Sequence, residues 1–375
     1  MQIRIERMMA GALRRLLLFV IATAPAGLQT SPALAGQSTS PVEVFEFRDL
    51  IDLSRNAAVK PDRFRVFRRR QEPQPTSQGR RVPIKVHLPS SGGPLPVVII
   101  SHGAGGNWDT HFAQANDLAT HGYAVFCLEH TGSNAERMKS SLRVLKNLKD
   151  MIHDSTEVLA RPQDVSFAIN QLTEWNRSDP RLKGRLDLGR IGILGHSFGA
   201  YTVMAIAGMR PALDWIEPKI APGTGLGPDL SEARVKCAVA LSPQAPGDPF
   251  FLKESYRSLR IPLLGISGTR DRQSNGEEPV ARLESFQLWP KHEGKNAFVW
   301  ITDAAHLDFT DSTGGDEQGR PSSGRPDVQR VVRAATVSFF DQCFRSKEST
   351  GAALSEEALK PYWGGAVKRV EVFRK

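Results

Sequence analysis

The sequence is poor in the features that would place it outside the ordinary globular class. Its three cysteines are an odd number and match neither a disulfide framework nor a zinc spacing. Two of them, Cys127 and Cys237, sit inside apolar runs, where a thiol behaves as a small buried hydrophobe. No apolar run reaches the roughly 20 residues that a membrane-spanning helix needs, and no internal repeat points to a solenoid. The net charge is +9, and its basic clusters, Arg68-Arg69-Arg70 and Arg80-Arg81, lie in a polar connector without an aromatic platform. That pattern argues against a nucleic-acid partner. With 40% hydrophobic, 24% charged and 7% aromatic residues, the 375-residue chain can bury a sizeable core, which excludes whole-chain disorder.

The N-terminus stands apart. Arg4, Arg7, Arg14 and Arg15 precede an apolar stretch from Leu16 to about Ala26, and Ala33-Leu34-Ala35 follows as a small-x-small cleavage site. Residues 1–35 therefore read as a cleavable signal peptide, and the mature protein is expected to be secreted or periplasmic. Residues 36–375 read as one domain, because no linker interrupts the pattern that follows.

That pattern consists of short continuous apolar runs: 97–100, 123–128, 191–194, 238–241, 261–266 and 297–301. Runs of this length suit parallel strands buried on both faces. Stretches 112–121, 155–175, 199–209 and 325–344 carry helical spacing between or after them. Alternation of strand and helix predicts an α/β fold, a doubly wound, mostly parallel sheet flanked by helices. Two strands, near 42–49 and 82–88, precede the core. Segments 134–154, 210–234 and 311–327 read as inserts around it, the first polar, basic and helical in part. The last 25 residues, with Trp363-Gly364-Gly365, read as a tail packed on the outside.

Chemistry enters at Gly195-His196-Ser197-Phe198-Gly199. The strand Arg190 to Leu194 runs into it and a helix from Ala200 follows, so Ser197 occupies a sharp strand-to-helix turn that lifts its hydroxyl above the sheet. The following helix aims its N-terminus at the serine, which makes the Phe198 N–H a donor for a developing oxyanion. A second donor is expected from Ser101-His102-Gly103-Ala104-Gly105-Gly106, after the 97–100 strand; Ala104 is the choice, with Gly105 as the alternative.

A serine hydroxyl needs a base. Only His292 and His306 follow Ser197, and His306 lies beyond the last core strand, where a loop can reach back, whereas His292 precedes that strand. Asp271, at the end of the 261–266 strand, is the expected acid partner; Asp303, close to His306 in sequence, is the rival. His102, Asp109, His111, His121 and His130 cluster in the first half without a metal-ligand spacing. Arg270 and Glu129 read as structural partners.

Ser101 to Gly106, Cys127-Leu128-Glu129-His130-Thr131-Gly132-Ser133, Arg161-Pro162-Gln163-Asp164-Val165 and the Ser197 elbow together resemble the platelet-activating-factor acetylhydrolase and dienelactone-hydrolase-like branch of the α/β hydrolases. The resemblance covers roughly residues 80–345. It implies a cofactor-free hydrolase of short-acyl or phospholipid-type carboxylic esters, with Ser197, His306 and Asp271 as the triad and Phe198 and Ala104 as oxyanion donors. Dienelactone hydrolases carry a cysteine nucleophile where this chain has Ser197, which counts against that substrate. Rival readings are a polyester or lipid hydrolase working on a surface, a secreted peptidase, and a catalytically silent binding protein on the same fold.

Overall fold

Apolar runs become strands here because both faces of each run find a layer to bury against. The computed structural model describes residues 41–56, 79–139, 144–217, 225–273, 275–311, 325–345, 354–365 and 367–375. Nine of its strands form one sheet: β1 (Val42–Phe47), β2 (Ile84–Pro89), β3 (Leu95–Ser101), β4 (Ala124–Leu128), β5 (Leu186–His196), β6 (Val235–Leu241), β7 (Leu263–Arg270), β8 (Ala297–Ala305) and β9 (Val370–Arg374). Their order is β1-β2-β4-β3-β5-β6-β7-β8-β9. Every neighbouring pair from β4 through β8 is parallel, and the outer pairs are antiparallel. The expected doubly wound, mostly parallel α/β sheet is the observed one.

The described α-helices, in chain order, are α1 (Phe112–Thr120), α2 (Ala135–Lys139), α3 (Val144–His153), α4 (Ser155–Ser178), α5 (Phe198–Ile206), α6 (Val280–Ser285), α7 (Pro326–Phe344) and α8 (Glu356–Leu359). Strand residues alternate between two cores. Val97 and Ile99 of β3 join α4 and α5 on one face, and Val98 and Ile100 join α1 and α7 on the other. Every residue of α5 is buried, and the hydroxyls of Tyr201 and Thr202, its only polar side-chain groups, are hydrogen-bonded.

Helix α4 contains Pro162, which has no N–H to give the Val158 carbonyl one turn earlier. The Tyr201 hydroxyl of α5 donates to that carbonyl at 2.8 Å. The proline therefore ties α4 to the helix that carries the elbow instead of breaking it.

Two sequence readings need correction. The tail is not an external appendage: Val370–Arg374 adds an antiparallel edge strand to β8. Its alternating side chains bury Val370 and leave Phe373 partly exposed. Arg80 is likewise not part of a polar connector. Arg80–Arg81 pairs with Ile51–Asp52 in a small ladder, and the Arg80 guanidinium is inserted among buried carboxylates. Arg68-Arg69-Arg70 lie outside the described residues, as do residues 1–35, read as the signal peptide.

The first two inserts meet. Insert 134–154 forms α2 and α3, with 140–143 outside the described residues. At its end the Glu217 N–H donates to the His153 carbonyl and the Ser155 N–H donates back to the Glu217 carbonyl, while His153 Nε2 lies 2.6 Å from Asp248 Oδ1. Residues 218–224 and 312–324 of the other two inserts lie outside the described residues; Pro326 opens α7, a position where its missing N–H costs nothing. Cys127 and Cys237 are buried, Cys343 is half-buried, and all three are free. Among the described residues no helix is long and apolar enough to cross a membrane.

Candidate active site

Register brings the functional segments together. Ser101 at the end of β3 pairs with Gly195 of β5, so the Ser101–Gly106 loop and the serine turn leave the sheet beside each other. Arg270 at the end of β7 pairs with Ala305 at the end of β8. The next residues, Asp271 and His306, therefore emerge side by side. All of this lies at the carboxyl ends of parallel strands, near the point where the strand order reverses, the usual ligand position in such sheets.

Ser197 holds φ 56° and ψ −114°, a strained conformation for a residue with a side chain. Two glycines make it possible. A Cβ on Gly195 would lie 2.4 Å from the Gly199 carbonyl oxygen, and a Cβ on Gly199 would lie 2.0 Å from that of Ser101. The Ser197 carbonyl accepts from Gln244 Nε2 at 2.8 Å, which braces the turn from the β6 side.

Ser197 Oγ lies 3.0 Å from His306 Nε2, and His306 Nδ1 lies 2.7 Å from Asp271 Oδ1. The carboxylate can only accept, so Nδ1 carries the proton and Nε2 is free to take the serine proton. The other oxygen of Asp271 accepts from Ser267 Oγ at 2.7 Å. Asp271 is fully buried. Burial alone would raise its pKa, but the Arg282 guanidinium, then His306 and its hydrogen bonds, hold it well below the usual carboxylate range. Arg282, itself buried, sends Nε to the Asp271 carbonyl at 3.0 Å and lies 3.4 Å from its side chain. It also ties the Pro243 and Arg272 carbonyls at 2.8 and 3.1 Å.

Asp303 does not compete for His306 in this arrangement. Its backbone has φ 63°, with its N–H on Thr269 Oγ1 and its carbonyl accepting from Arg325. His292 points elsewhere, with Nε2 3.3 Å from the Leu259 carbonyl. His196 anchors the backbone of His306: its Nε2 donates to the His306 carbonyl at 2.9 Å.

On the oxyanion side, the Gly105 N–H is spent on the Ser133 carbonyl at 2.8 Å. This removes the alternative donor and leaves Ala104, next to Gly103, as the loop's candidate. A Cβ built on Gly103 would sit 3.4 Å from the Ser197 Cβ, so the loop lies directly against the serine.

Beneath this loop is a buried polar network. Asp164 is bonded by Arg55 Nη1 at 2.5 Å, Arg80 Nε at 2.8 Å and His130 Nδ1 at 2.7 Å. Glu157 is bonded by Arg80 at 2.8 Å and Ser133 Oγ at 2.9 Å. His130 Nε2 accepts from Ser101 Oγ, and the His130 backbone N–H donates to His102 Nε2. Burial pushes His130 down to about 4, so it stays neutral. Asp164 is held low: burial opposes its charge, but Arg80 and His130 more than compensate.

Sequence reasoning did not assign roles to Arg161, Arg282, Gln244 or Ser267. A signal existed for the first, since Glu157, Arg161 and Asp164 recur at helical spacing on one face of α4. Glu129 accepts from Asn134 at 2.7 Å, and Arg270 is exposed. Among the described residues no group of His, Cys, Asp and Glu side chains is placed to hold a metal ion.

A family model described as alpha/beta hydrolase fold matches residues 96–259. This span runs from β3 to just before β7; it includes the Ser101–Gly106 loop and the elbow but stops short of Asp271 and His306. Platelet-activating factor acetylhydrolase of Cavia porcellus is 26% identical over 261 residues, covering 62% of this chain and 52% of that protein. The Canis lupus familiaris protein of the same name is 28% identical over 142 residues, 30% and 32% of the two chains. The chain thus spans a third to about half the length of these curated relatives. The solved structure of a ferulic acid esterase from Streptomyces cinnamoneus superposes with a TM-score of 0.56 at 19% identity, covering 91% of this chain and 99% of that one. Strand order, the elbow between β5 and α5, and these matches agree that the chain has the α/β-hydrolase fold and resembles the platelet-activating factor acetylhydrolases.

Proposed function

We propose that this protein is a serine-dependent carboxylic ester hydrolase that works through an acyl-enzyme on Ser197. The observation that carries the reading is the continuous relay from Ser197 Oγ through His306 to buried Asp271, at 3.0 and 2.7 Å, on a turn strained enough to expose the hydroxyl. His306 Nε2 takes the serine proton as Oγ attacks the ester carbonyl. The resulting oxyanion is met by the N–H groups of Phe198 and Ala104. Collapse expels the alcohol, which receives the proton from His306. Water then gives its proton to His306 and attacks the acyl carbonyl, and Ser197 leaves with that proton. Asp271 fixes the tautomer and stabilises the imidazolium throughout.

The names of the relatives, acetylhydrolase and esterase, support an ester as the substrate. Short-acyl or phospholipid-type esters are the class we infer, and the signal-like N-terminus supports export to the periplasm or medium, to be checked by sequencing the mature N-terminus. A fluorophosphonate probe followed by peptide mapping tests the centre of the reading: labelling is expected on Ser197, and Ser197→Ala should abolish turnover. A panel of nitrophenyl esters from acetyl to palmitoyl, run beside phospholipid and polyester, fixes the acyl class. An unlabelled protein with no turnover would instead support the silent binding reading.

A further inference from the structure

Arg161 takes no part in the relay, yet it is completely buried beside the proposed oxyanion donors. The carboxylates of its own helix do not need it. Asp164 is already paired with Arg55 and Arg80, and Glu157 with Arg80. Among the described residues, Arg161's hydrogen bonds all run the other way, to neutral oxygens. Nη2 donates to the His102 carbonyl and to Ser101 Oγ, Nη1 to Ser133 Oγ at 2.8 Å, and Nε to Thr202 Oγ1 at 3.1 Å. The guanidinium also lies 4.3 Å from the centroid of the Phe198 ring.

These contacts bracket both donors. Ala104 lies between two held points of the loop: His102, two residues before it, whose carbonyl Arg161 holds, and Gly105, the next residue, whose N–H is held by Ser133, a residue whose hydroxyl Arg161 holds in turn. Phe198 lies under the guanidinium, and Thr202, one turn further along α5, is bonded to it.

We infer that Arg161 is a positioning residue: one buried guanidinium fixes the Ala104 loop and the start of α5 relative to each other and so sets the oxyanion hole. The inference rests on the esterase reading above. A planar fork with five donors can serve several acceptors at fixed angles, and a lysine ammonium cannot reproduce that geometry.

The test compares wild type with Arg161→Lys and Ser133→Ala on a nitrophenyl ester. Each sample is normalised by fluorophosphonate titration and checked for folding by near-UV circular dichroism. A trifluoromethyl ketone, which forms a tetrahedral oxyanion on the serine, reports the hole directly. Arg161→Lys is expected to lower kcat about 10- to 100-fold with KM within about threefold, and to weaken the ketone by the same factor as kcat/KM. Ser133→Ala should show the same coupled losses at about fivefold, and it decides the matter if the lysine variant does not fold. A folded variant with wild-type kcat, or a loss of kcat with unchanged ketone affinity, overturns the inference. Wild-type protein without Ser197-dependent turnover overturns the esterase reading, and this inference with it.

Discussion

Asp271→Asn removes one charge while keeping the size of the side chain, and its effect can be worked out from the three groups around it. Ser267 Oγ and the Arg282 guanidinium face Oδ2, and His306 Nδ1 faces Oδ1. Arg282 can only donate, so the amide is driven to turn its oxygen toward Arg282 and its NH2 toward His306. Nδ1 must then accept, the imidazole proton moves to Nε2, and the ring can no longer take the proton of Ser197. A tautomer trap of this kind costs about 10⁴-fold in kcat, roughly 5 kcal/mol of transition-state energy. Asp303→Asn should leave kcat within about threefold, because Asp303 is fixed through its backbone and does not bond His306. Both variants are assayed with p-nitrophenyl acetate at neutral pH, with the folded fraction set by circular dichroism. If Asp271→Asn keeps more than a tenth of wild-type kcat, or Asp303→Asn shows the large loss instead, the assignment of the acid is wrong.

Gly199→Ala would push a methyl to 2.0 Å from the Ser101 carbonyl oxygen, both on backbone that cannot yield, so soluble yield or kcat should fall by more than about 100-fold; wild-type labelling rates in a folded variant would refute the steric account. Arg282→Met strands the Asp271 charge and should cost about 3–5 kcal/mol in chemical denaturation; a change below about 1 kcal/mol would show that the guanidinium is dispensable. Stability should also fall on mild acidification. Burial pushes His87, His111 and His130 down to about 4, whereas in the unfolded chain histidine protonates near 6.5. Between these values the unfolded state binds more protons, so each histidine removes about 1.4 kcal/mol per pH unit as pH drops below about 6.5. The lowered carboxylates Asp164 and Asp271 stay charged in that window, since their contribution is lost only below the unfolded carboxylate range, and the raised Asp117, Asp154 and Asp311 act in the opposite sense as pH falls through their raised values. Urea midpoints at pH 7.5, 6.5 and 5.5 measure the slope; a flat series contradicts it.

What could be read from the sequence was what local pattern encodes. Buried parallel strands appear as uninterrupted runs such as Val97-Val98-Ile99-Ile100, and the elbow carries its own glycines because no other residue fits at 195 and 199. Strand β9 was less visible: Val370-Glu371-Val372-Phe373-Arg374 has the alternation of a half-buried edge strand, but only its pairing with β8 reveals which edge it completes. Sequence position left Asp303 as a rival to Asp271, because the Arg270–Ala305 register that sets Asp271 beside His306 is a property of strand pairing and not of sequence separation. The carboxylate network beneath the Ser101–Gly106 loop was hidden because Arg55 and Arg80 reach Asp164 from 109 and 84 residues away. A charge at a core position reads as a surface charge until its partner is located.

Two buried guanidiniums frame the proposed site, and they do similar work at its opposite ends. Arg282 gathers the carbonyls of Pro243, Asp271 and Arg272, so the loops after β6 and β7 cannot move independently. Arg161 gathers His102, Ser133 and Thr202 and thereby joins the loops after β3 and β4 to α5. A buried cation is costly, and pairing it with a carboxylate alone gives little net stability. Its advantage is directional: a rigid fork can satisfy several carbonyls that loops leave unpaired, which ordinary side chains do one at a time. Acyl transfer requires the nucleophile, base and oxyanion donors to hold a near-attack geometry without reorganising. Strand register places these groups to within a residue, and the guanidiniums supply the finer constraint. Losing either one should therefore cost more in kcat than in substrate affinity.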